Sequence, residues 1–419
     1  MNIWILNHYA STMFVNSGGR HYWFSKYLIK NGNSPSIFCS NIVHETGEKI
    51  PVKGLYKEEK KDNIDFFIFK TIKYRGNTLS RLLNIFSYFI NVIISSNKIE
   101  KKRCKPDIIY ASSVHPLTCV AGILLARRYK VRCICEIRDM WPFALIQDGI
   151  LNEDSIITKL LYKLEHWIYK NCDSLIFTME GGKDYITDKN WESNVHLNKI
   201  YNINNGVDLN MYKENIIKNT VDDKDLLDNS KFKIIYTGAI RQSNGINNIV
   251  KIAEELESTE YKDKIIFLIY GEGTEKLKLE DYCKKNNINN LIFKGRVNKK
   301  YIPYILSKSD LNLLNYNIGF CKALKYGGSQ NKLFEYCASG RPVLSNSEMN
   351  YNLIEKYNCG KCANINSINS MIDIILEFYH MNEHDYNKYC MNSKKLAEDY
   401  DYKILTEKLE SVINNTIGE

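Results

Sequence analysis

Along the first half of the chain, apolar runs and mixed runs take turns. NIWILNHY, DFFIFK, DIIYA, VRCICEI and SLIFT have the length and the β-branched or aromatic content of buried strands. Between them, stretches such as RHYWFSKYLIKNG, which stops near Gly32, and ITKLLYKLEHWIYKN carry apolar residues three and four apart, as helices do. This strand–helix rhythm predicts a parallel sheet covered by helices. It pauses in the polar stretch VDDKDLLDNSK, residues 221–231, and restarts with FKIIYTG, the helical GINNIVKIAEELE, then KIIFLIYGEG, NLIFKGRV and DLNLLNY. Two successive doubly wound units with no sequence repeat predict an α/β protein of two facing Rossmann-like domains with parallel sheets. We expect them over 1–205 and 206–398, with YDYKILTEKLESVINN as part of a helix, 399–419, packing across the boundary.

One stretch departs from the rhythm. LSRLLNIFSYFINVII, residues 79–94, is apolar at helical spacing but interrupted by Asn84, Ser87 and Asn91, too short and too polar to span a bilayer. Lys73, Arg75, Arg81, Lys98, Lys101, Lys102, Arg103 and Lys105 flank it against a single acid, Glu100. A helix resting on an anionic membrane through 73–105 has this composition, and so does a core helix with solvated flanks.

The chain has 419 residues, 44% hydrophobic and 25% charged, which suits a two-domain globular protein. Its net charge of +9 favours anionic partners without choosing among them. The start, MNIWILNHYA, lacks the basic region of a signal peptide. Twelve cysteines form no framework, and CGKC at 359–362 has no second pair at zinc spacing, so reduced thiols in a cytoplasmic protein are expected.

Candidate chemistry concentrates in GGSQNKLFEYCASGRPVL, residues 327–344. Leu333, Phe334, Cys337 and Ala338 share one face of a short helix, whereas Asn331 and Glu335 line another that can meet a cleft. Unpaired amides at the helix start, with Gly327, Gly328 and Ser329 before them, suit a phosphate. Glu335, one turn deeper, could accept hydrogen bonds from the vicinal hydroxyls of a ribose, although this stretch alone favours a surface glutamate behind an N-cap serine. In TGAIRQSNG, 237–245, Arg241 sits at a strand-to-helix turn, placed to grip a diphosphate or simply solvated. GEGTEK, 271–276, has Lys276 where a dinucleotide fingerprint needs glycine, so NAD binding is rejected. DDKD, 222–225, reads as a solvated linker, and neither a metal-spaced His/Glu cluster nor a Gly-x-Ser-x-Gly elbow occurs. In EIRDMWPFAL, Asp139 follows a strand and precedes the rigid Trp141–Pro142, the position from which open α/β sheets present ligand-facing groups. His115 in SSVHPLT holds a similar but secondary place.

Taken in order, NHYA with GGRHYWFSKYLIKNG, PDIIYAS, RDMWP, NNGVDLNMY, IYTGAIRQSNGINNIV, GEGTEKLKLEDY, FKGRVNKKYIPYILSKSDLNLLNY and GSQNKLFEYCASGRPVL resemble the family 4 retaining glycosyltransferases of GT-B fold over nearly the whole chain. RDMWP and GSQNKLFEY look most like a bacterial branch that builds O-antigens, capsules and exopolysaccharides, fucosamine-type sugar transferases among them. The resemblance implies that Glu335 holds the donor ribose and that Asp139, Arg241 and Glu335 carry the chemistry. It further implies donor contacts at Gly18, Gly19, Gly238, Asn244, Gly271, Arg296, Gly328, Ser329, Gln330, Asn331, Lys332 and Leu333. Gly327 stands where the family commonly has a first glutamate. Ala239 and Asn244 replace its Arg and Lys on the diphosphate turn, with Arg241 as a substitute, and Asp139 lies where many relatives carry histidine.

The implied reaction moves a sugar from a nucleoside-diphosphate sugar, UDP first among them, to a saccharide acceptor linked to a lipid diphosphate. Neither metal nor cofactor is expected. The place of action would be the cytoplasm, peripheral to the inner face of the membrane. An epimerase or a phosphorylase of related fold, or an inactive donor-binding subunit, are the rivals. Nucleic acid is disfavoured, because basic residues gather at 79–94 instead of alternating with aromatics.

Overall fold

The computed structural model describes residues 1–418 apart from 45, 75, 77, 78, 114, 148, 318–321, 348, 365 and 366. It divides into two units, Met1–Asn204 with Tyr402–Glu419, and Asn205–Asp401. Each unit is built on a largely parallel sheet with helices between its strands.

The first unit is built on β1 (Asn2–Leu6), β2 (Ser34–Ser40), β3 (Tyr56–Lys61), β4 (Ile64–Phe69), β5 (Ile108–Ser113), β6 (Arg132–Ile137), β7 (Ser174–Phe177) and β8 (Ile200–Asn202). Their order is β3-β4-β2-β1-β5-β6-β7-β8. All pairs are parallel except β3–β4, a departure from the expected all-parallel sheet. Asp62 and Asn63, both with positive φ, make the tight turn joining those two strands. YKEEKK has no apolar alternation to betray a strand; its charges suit the exposed edge, where unpaired strand groups would otherwise recruit other chains. β2 also escapes the pattern, because Pro35 near its start argues against a strand although it pairs beside Ile3. Gly122 lets the helix Pro116–Tyr129 lie close on β5, since a Cβ there would stand 2.5 Å from that of Ala111.

The helix Leu79–Arg103 is 25 residues long, longer than its apolar stretch, and by length and composition could cross a membrane. Its inner face is nevertheless docked. Ile85, Tyr88, Val92 and Ile99 are buried, Tyr88 donates to the carbonyl of Phe38 at 2.8 Å, and Asn84 donates to the carbonyl of Ile72 at 2.6 Å. Its outer face carries Leu79, Leu82, Leu83, Phe86, Ile90 and Ile94, between 46% and 72% exposed. Of the basic flank, Lys102 and Arg103 pair with Glu58, and Arg75 lies outside the described residues.

The second unit has β9 (Phe232–Thr237), β10 (Ile265–Tyr270), β11 (Leu291–Gly295), β12 (Leu311–Leu314), β13 (Val343–Ser345) and β14 (Gly360–Cys362), all parallel in the order β11-β10-β9-β12-β13-β14. β10, IIFLIY, is buried throughout, as a strand covered on both faces must be. Ile249, Val250 and Ala253 of the helix Ile246–Glu257 close the core over Ile234, Phe267 and Leu311. The stretch 222–225 is not the solvated linker expected. Asp223 caps the turn Lys224–Leu227, and Asp223 and Asp225 each hold Lys294 at 2.7 Å. Each described cysteine is free.

Candidate functional site

In an open α/β sheet, ligands bind beyond the carboxyl ends of the strands where the strand order reverses. In the second sheet that point lies between β9 and β12, neighbours that lead outward in opposite directions. The turn after β9 meets the helix Asn331–Ala338 there. Gln330 occupies that helix's N-cap position without a side-chain cap, so its first turn keeps donors for a ligand. Ser329 is fixed from the second unit's own start: the Asn205 amide donates to its Oγ at 3.0 Å and Asn205 Nδ2 to its carbonyl at 2.6 Å. Leu333, Phe334 and Cys337 face the core, as the periodicity predicts.

The glycines bring the backbones together. A Cβ at Gly271 would stand 1.8 Å from the carbonyl oxygen of Gly238, so the turns after β9 and β10 touch directly. Gly238, at φ +146°, in turn admits Lys332, whose Cε would lie 2.4 Å from a Cβ at that position. Lys332 Nζ donates to the Tyr236 hydroxyl at 2.7 Å, and that hydroxyl donates to the carbonyl of Ala239 at 2.9 Å. Asn244 is engaged within the same turn, donating to the carbonyl of Ala239 at 2.8 Å. Burial pulls the Lys332 pKa down to about 8, partly offset by the Glu335 carboxylate. Glu335 is largely buried and ion-paired with the exposed Lys299 at 3.0 Å. Beside it the Tyr212 phenol is buried without a hydrogen-bond partner among the described residues, and burial pushes its pKa well up.

The second unit thus gathers Gly238, Gly271, the segment Gly328–Lys332 and Glu335 around two touching turns and one helix start. Arg241 and Arg296 are exposed at the turns after β9 and β11, and Leu333 serves the core. Asn205 and Tyr212 were missed by sequence reasoning, although both stand in the NNGVDLNMY motif.

Gly18, Gly19 and Asp139 belong to the first unit. Gly19 precedes the helix Arg20–Lys30. Arg20 reaches Glu136 Oε1 at 2.6 Å and the carbonyls of Asn204 and Ile203 at 2.6 and 2.8 Å. Glu136 also accepts from Tyr110 and from Ser112 at 2.7 Å, and His21 Nε2 lies 3.1 Å from its Oε2. Burial opposes its charge, but Arg20 and His21 outweigh burial and hold the carboxyl well below its usual range.

Asp139 borders a small hollow with Ser113, Trp141 and Glu165. Glu165 accepts from Tyr169 and Tyr185 at 2.7 and 2.8 Å, and burial raises its pKa to about 8. At this sheet's own reversal point, between β1 and β5, His8 Nδ1 meets His115 Nε2 at 2.6 Å. Burial pushes the pKa of His115 down to about 3 and that of His8 well down, so the pair is neutral.

A glycosyltransferase family 4 profile matches residues 23–211, and one described as glycosyl transferases group 1 matches 218–396. A colanic acid biosynthesis glycosyl transferase of Escherichia coli strain K12 is 24% identical over 257 residues, and the match covers 59% of this chain and 60% of that relative's length. Sucrose-phosphate synthase from Thermosynechococcus elongatus matches at TM-score 0.71 with 12% identity, covering 99% of this chain and 98% of that one. Anabaena HepE in complex with UDP matches at TM-score 0.66 with 12% identity, covering 99% and 100%. The likeness to these solved structures is one of fold. A family 4 profile over the first unit and a group 1 profile over the second identify the chain as a glycosyltransferase of the family 4, GT-B type.

Proposed function

We propose that the protein transfers a sugar, with retained configuration, from a UDP-sugar to a saccharide acceptor carried on a lipid diphosphate, in the building of a bacterial surface polysaccharide. The observation that carries the reading is the meeting of an uncapped helix start, a glycine-lined turn and a partly buried acid, Glu335, one turn deeper. An anion suits the helix start, and a carboxylate at Glu335's depth suits a pair of ribose hydroxyls. UDP is favoured because HepE binds it, and a surface polysaccharide because the Escherichia coli relative is described as acting in colanic acid biosynthesis.

In the reaction the bond between the anomeric carbon and the β-phosphate oxygen breaks, and its electron pair leaves with the UDP. The acceptor hydroxyl forms the new bond on the same face and gives its proton to the departing phosphate. The protein's main task is to stabilise charge developing on that phosphate, and one well-placed donor is worth about 3–4 kcal/mol. Backbone amides and cationic side chains supply this without a metal. Asp139 is assigned to the sugar or the acceptor.

The exposed apolar ridge Leu79–Ile94, with Lys73, Lys98, Lys101 and Lys105 around it, suits an anionic membrane surface at the cytoplasmic face, where a lipid-linked acceptor would reside. Calorimetric titration with UDP, GDP and their sugar conjugates tests the donor site. Selective binding of one nucleotide, weakened in Glu335→Ala, is the expected result, and absence of nucleotide binding overturns the reading. Turnover that requires an added lipid-diphosphate saccharide separates transfer from epimerisation.

A further inference from the structure

Lys332 carries a charge that the described residues leave unpaired by any carboxylate within 4.0 Å. Among the described residues its one hydrogen-bond partner is a neutral phenol, that of Tyr236, over whose ring the ammonium also lies, 4.5 Å from the centre. Glu335, on the same helix, is ion-paired with Lys299 instead. The lysine is partly buried and passes directly over Gly238, where a Cβ would stand 2.7 Å from Nζ, so its ammonium rests on the turn after β9. Arg241 sits on the same turn with its side chain exposed.

A partly desolvated cation without a counter-ion is costly for the protein to keep, and a strong attractor for an anion arriving beside it. We propose that Lys332, rather than Arg241, is the side chain that grips the donor diphosphate and stabilises charge on the leaving phosphate. The inference rests on the donor-site reading above, and it accounts for the missing family Arg and Lys on the turn. The cation comes from the facing helix, through the gap that Gly238 leaves.

Binding a diphosphate beside this ammonium would restore its proton. The titratable groups facing Lys332 are Tyr236 from β9 and Glu335 on its own helix, with Lys299 beyond Glu335. Burial holds the Tyr236 phenol well above its usual range, so it stays protonated throughout the measurement. With the Lys332 pKa near 8, binding at pH 8 should take up about half a proton.

The experiment is calorimetric titration of the full chain with UDP at pH 8 and pH 6, in buffers of differing protonation enthalpy, repeated with Lys332→Met and Gly238→Ala. We expect uptake of about half a proton at pH 8; at pH 6 Lys332 is already charged, and the exchange is instead release from the terminal phosphate of UDP, whose own pKa is about 6. In Lys332→Met, affinity should fall by about tenfold or more and the uptake should vanish. With donor and acceptor supplied, kcat should fall by about 100-fold, more than KM rises. Gly238→Ala should weaken UDP in the same way, because its Cβ takes the ammonium's place. Wild-type binding at pH 8 without proton uptake overturns the proposal even if a variant fails to fold, and so does a folded Lys332→Met that binds UDP as tightly as the wild type. If neither UDP nor GDP binds the wild type, the donor-site reading itself fails, which is a separate result.

Discussion

Glu136 in the first unit and Lys332 in the second are both charges drawn out of water, and the protein treats them oppositely. Glu136 is fully buried and receives a guanidinium, an imidazole and two hydroxyls, so little of its hydrogen-bonding capacity is left over. Lys332 meets one phenol among the described residues. The Glu136 network ties the helix Arg20–Lys30 to β5, β6 and the carbonyls of 203 and 204, which is a structural task completed within the fold. A charge satisfied in this way has nothing to offer a ligand. A charge left half-satisfied beside a glycine turn costs stability, and ligand binding recovers that cost.

The widest separation between the two comes from removing each charge. Glu136→Gln strands Arg20 and should lower unfolding free energy by about 3–5 kcal/mol in denaturant titration. Lys332→Met should leave stability unchanged or raise it. A Glu136→Gln protein as stable as the wild type would break the contrast.

The pH response comes next, with slopes of at most about 1.4 kcal/mol per pH unit for one proton. Glu165, raised from 4.5 to about 8, keeps a proton in the folded state that the unfolded chain releases. Its contribution to stability is therefore full below pH 4.5 and is lost as pH rises to 8. Lys332, lowered from 10.5 to about 8, behaves in reverse: the unfolded chain holds the extra proton between pH 8 and 10.5, so stability rises across that window. Glu165→Gln should flatten the first slope and Lys332→Met the second, each read as the difference from wild type in unfolding midpoints.

Glu335→Ala should weaken UDP by about tenfold, near 1.4 kcal/mol, through lost charge-assisted hydrogen bonds to ribose. The smallest effect belongs to the ridge. Phe86→Ser with Ile90→Ser should reduce sedimentation with anionic vesicles several-fold while moving stability by less than about 0.5 kcal/mol, since both side chains are half exposed. Retained vesicle binding would remove the membrane reading of that face.

Long apolar runs made most of the fold legible. FKIIYTG and KIIFLIYGEG became β9 and β10, because strands covered on both faces leave an uninterrupted apolar signature. The edge strand YKEEKK and the proline-bearing β2 were not legible, since their places are set by partners and position in the sheet. At the candidate site, the 327–335 segment was read from glycine and helix-start chemistry. The relation of Lys332 to Tyr236 and Gly238 was not, because it joins residues almost a hundred positions apart through a missing side chain. Arg241 was legible because it sits on the turn in sequence. The Asp223–Lys294 pairing was hidden for the same reason: charge patterning along a chain does not reveal which distant lysine will fold onto it.

The final helix, Tyr402–Gly418, belongs to the first unit. Leu405, Leu409, Val412 and Ile413 are buried there, Tyr402 packs against Phe24 with ring centres 5.6 Å apart, and Asn31 and Asn33 donate to Glu410 at 2.7 and 2.8 Å. During synthesis, the strands of the first sheet leave the ribosome long before this cover exists. The unit begun first is therefore finished last. The second unit, made of one continuous segment, can complete itself as soon as residue 401 has emerged, while its predecessor waits with Phe24 and its neighbours unroofed.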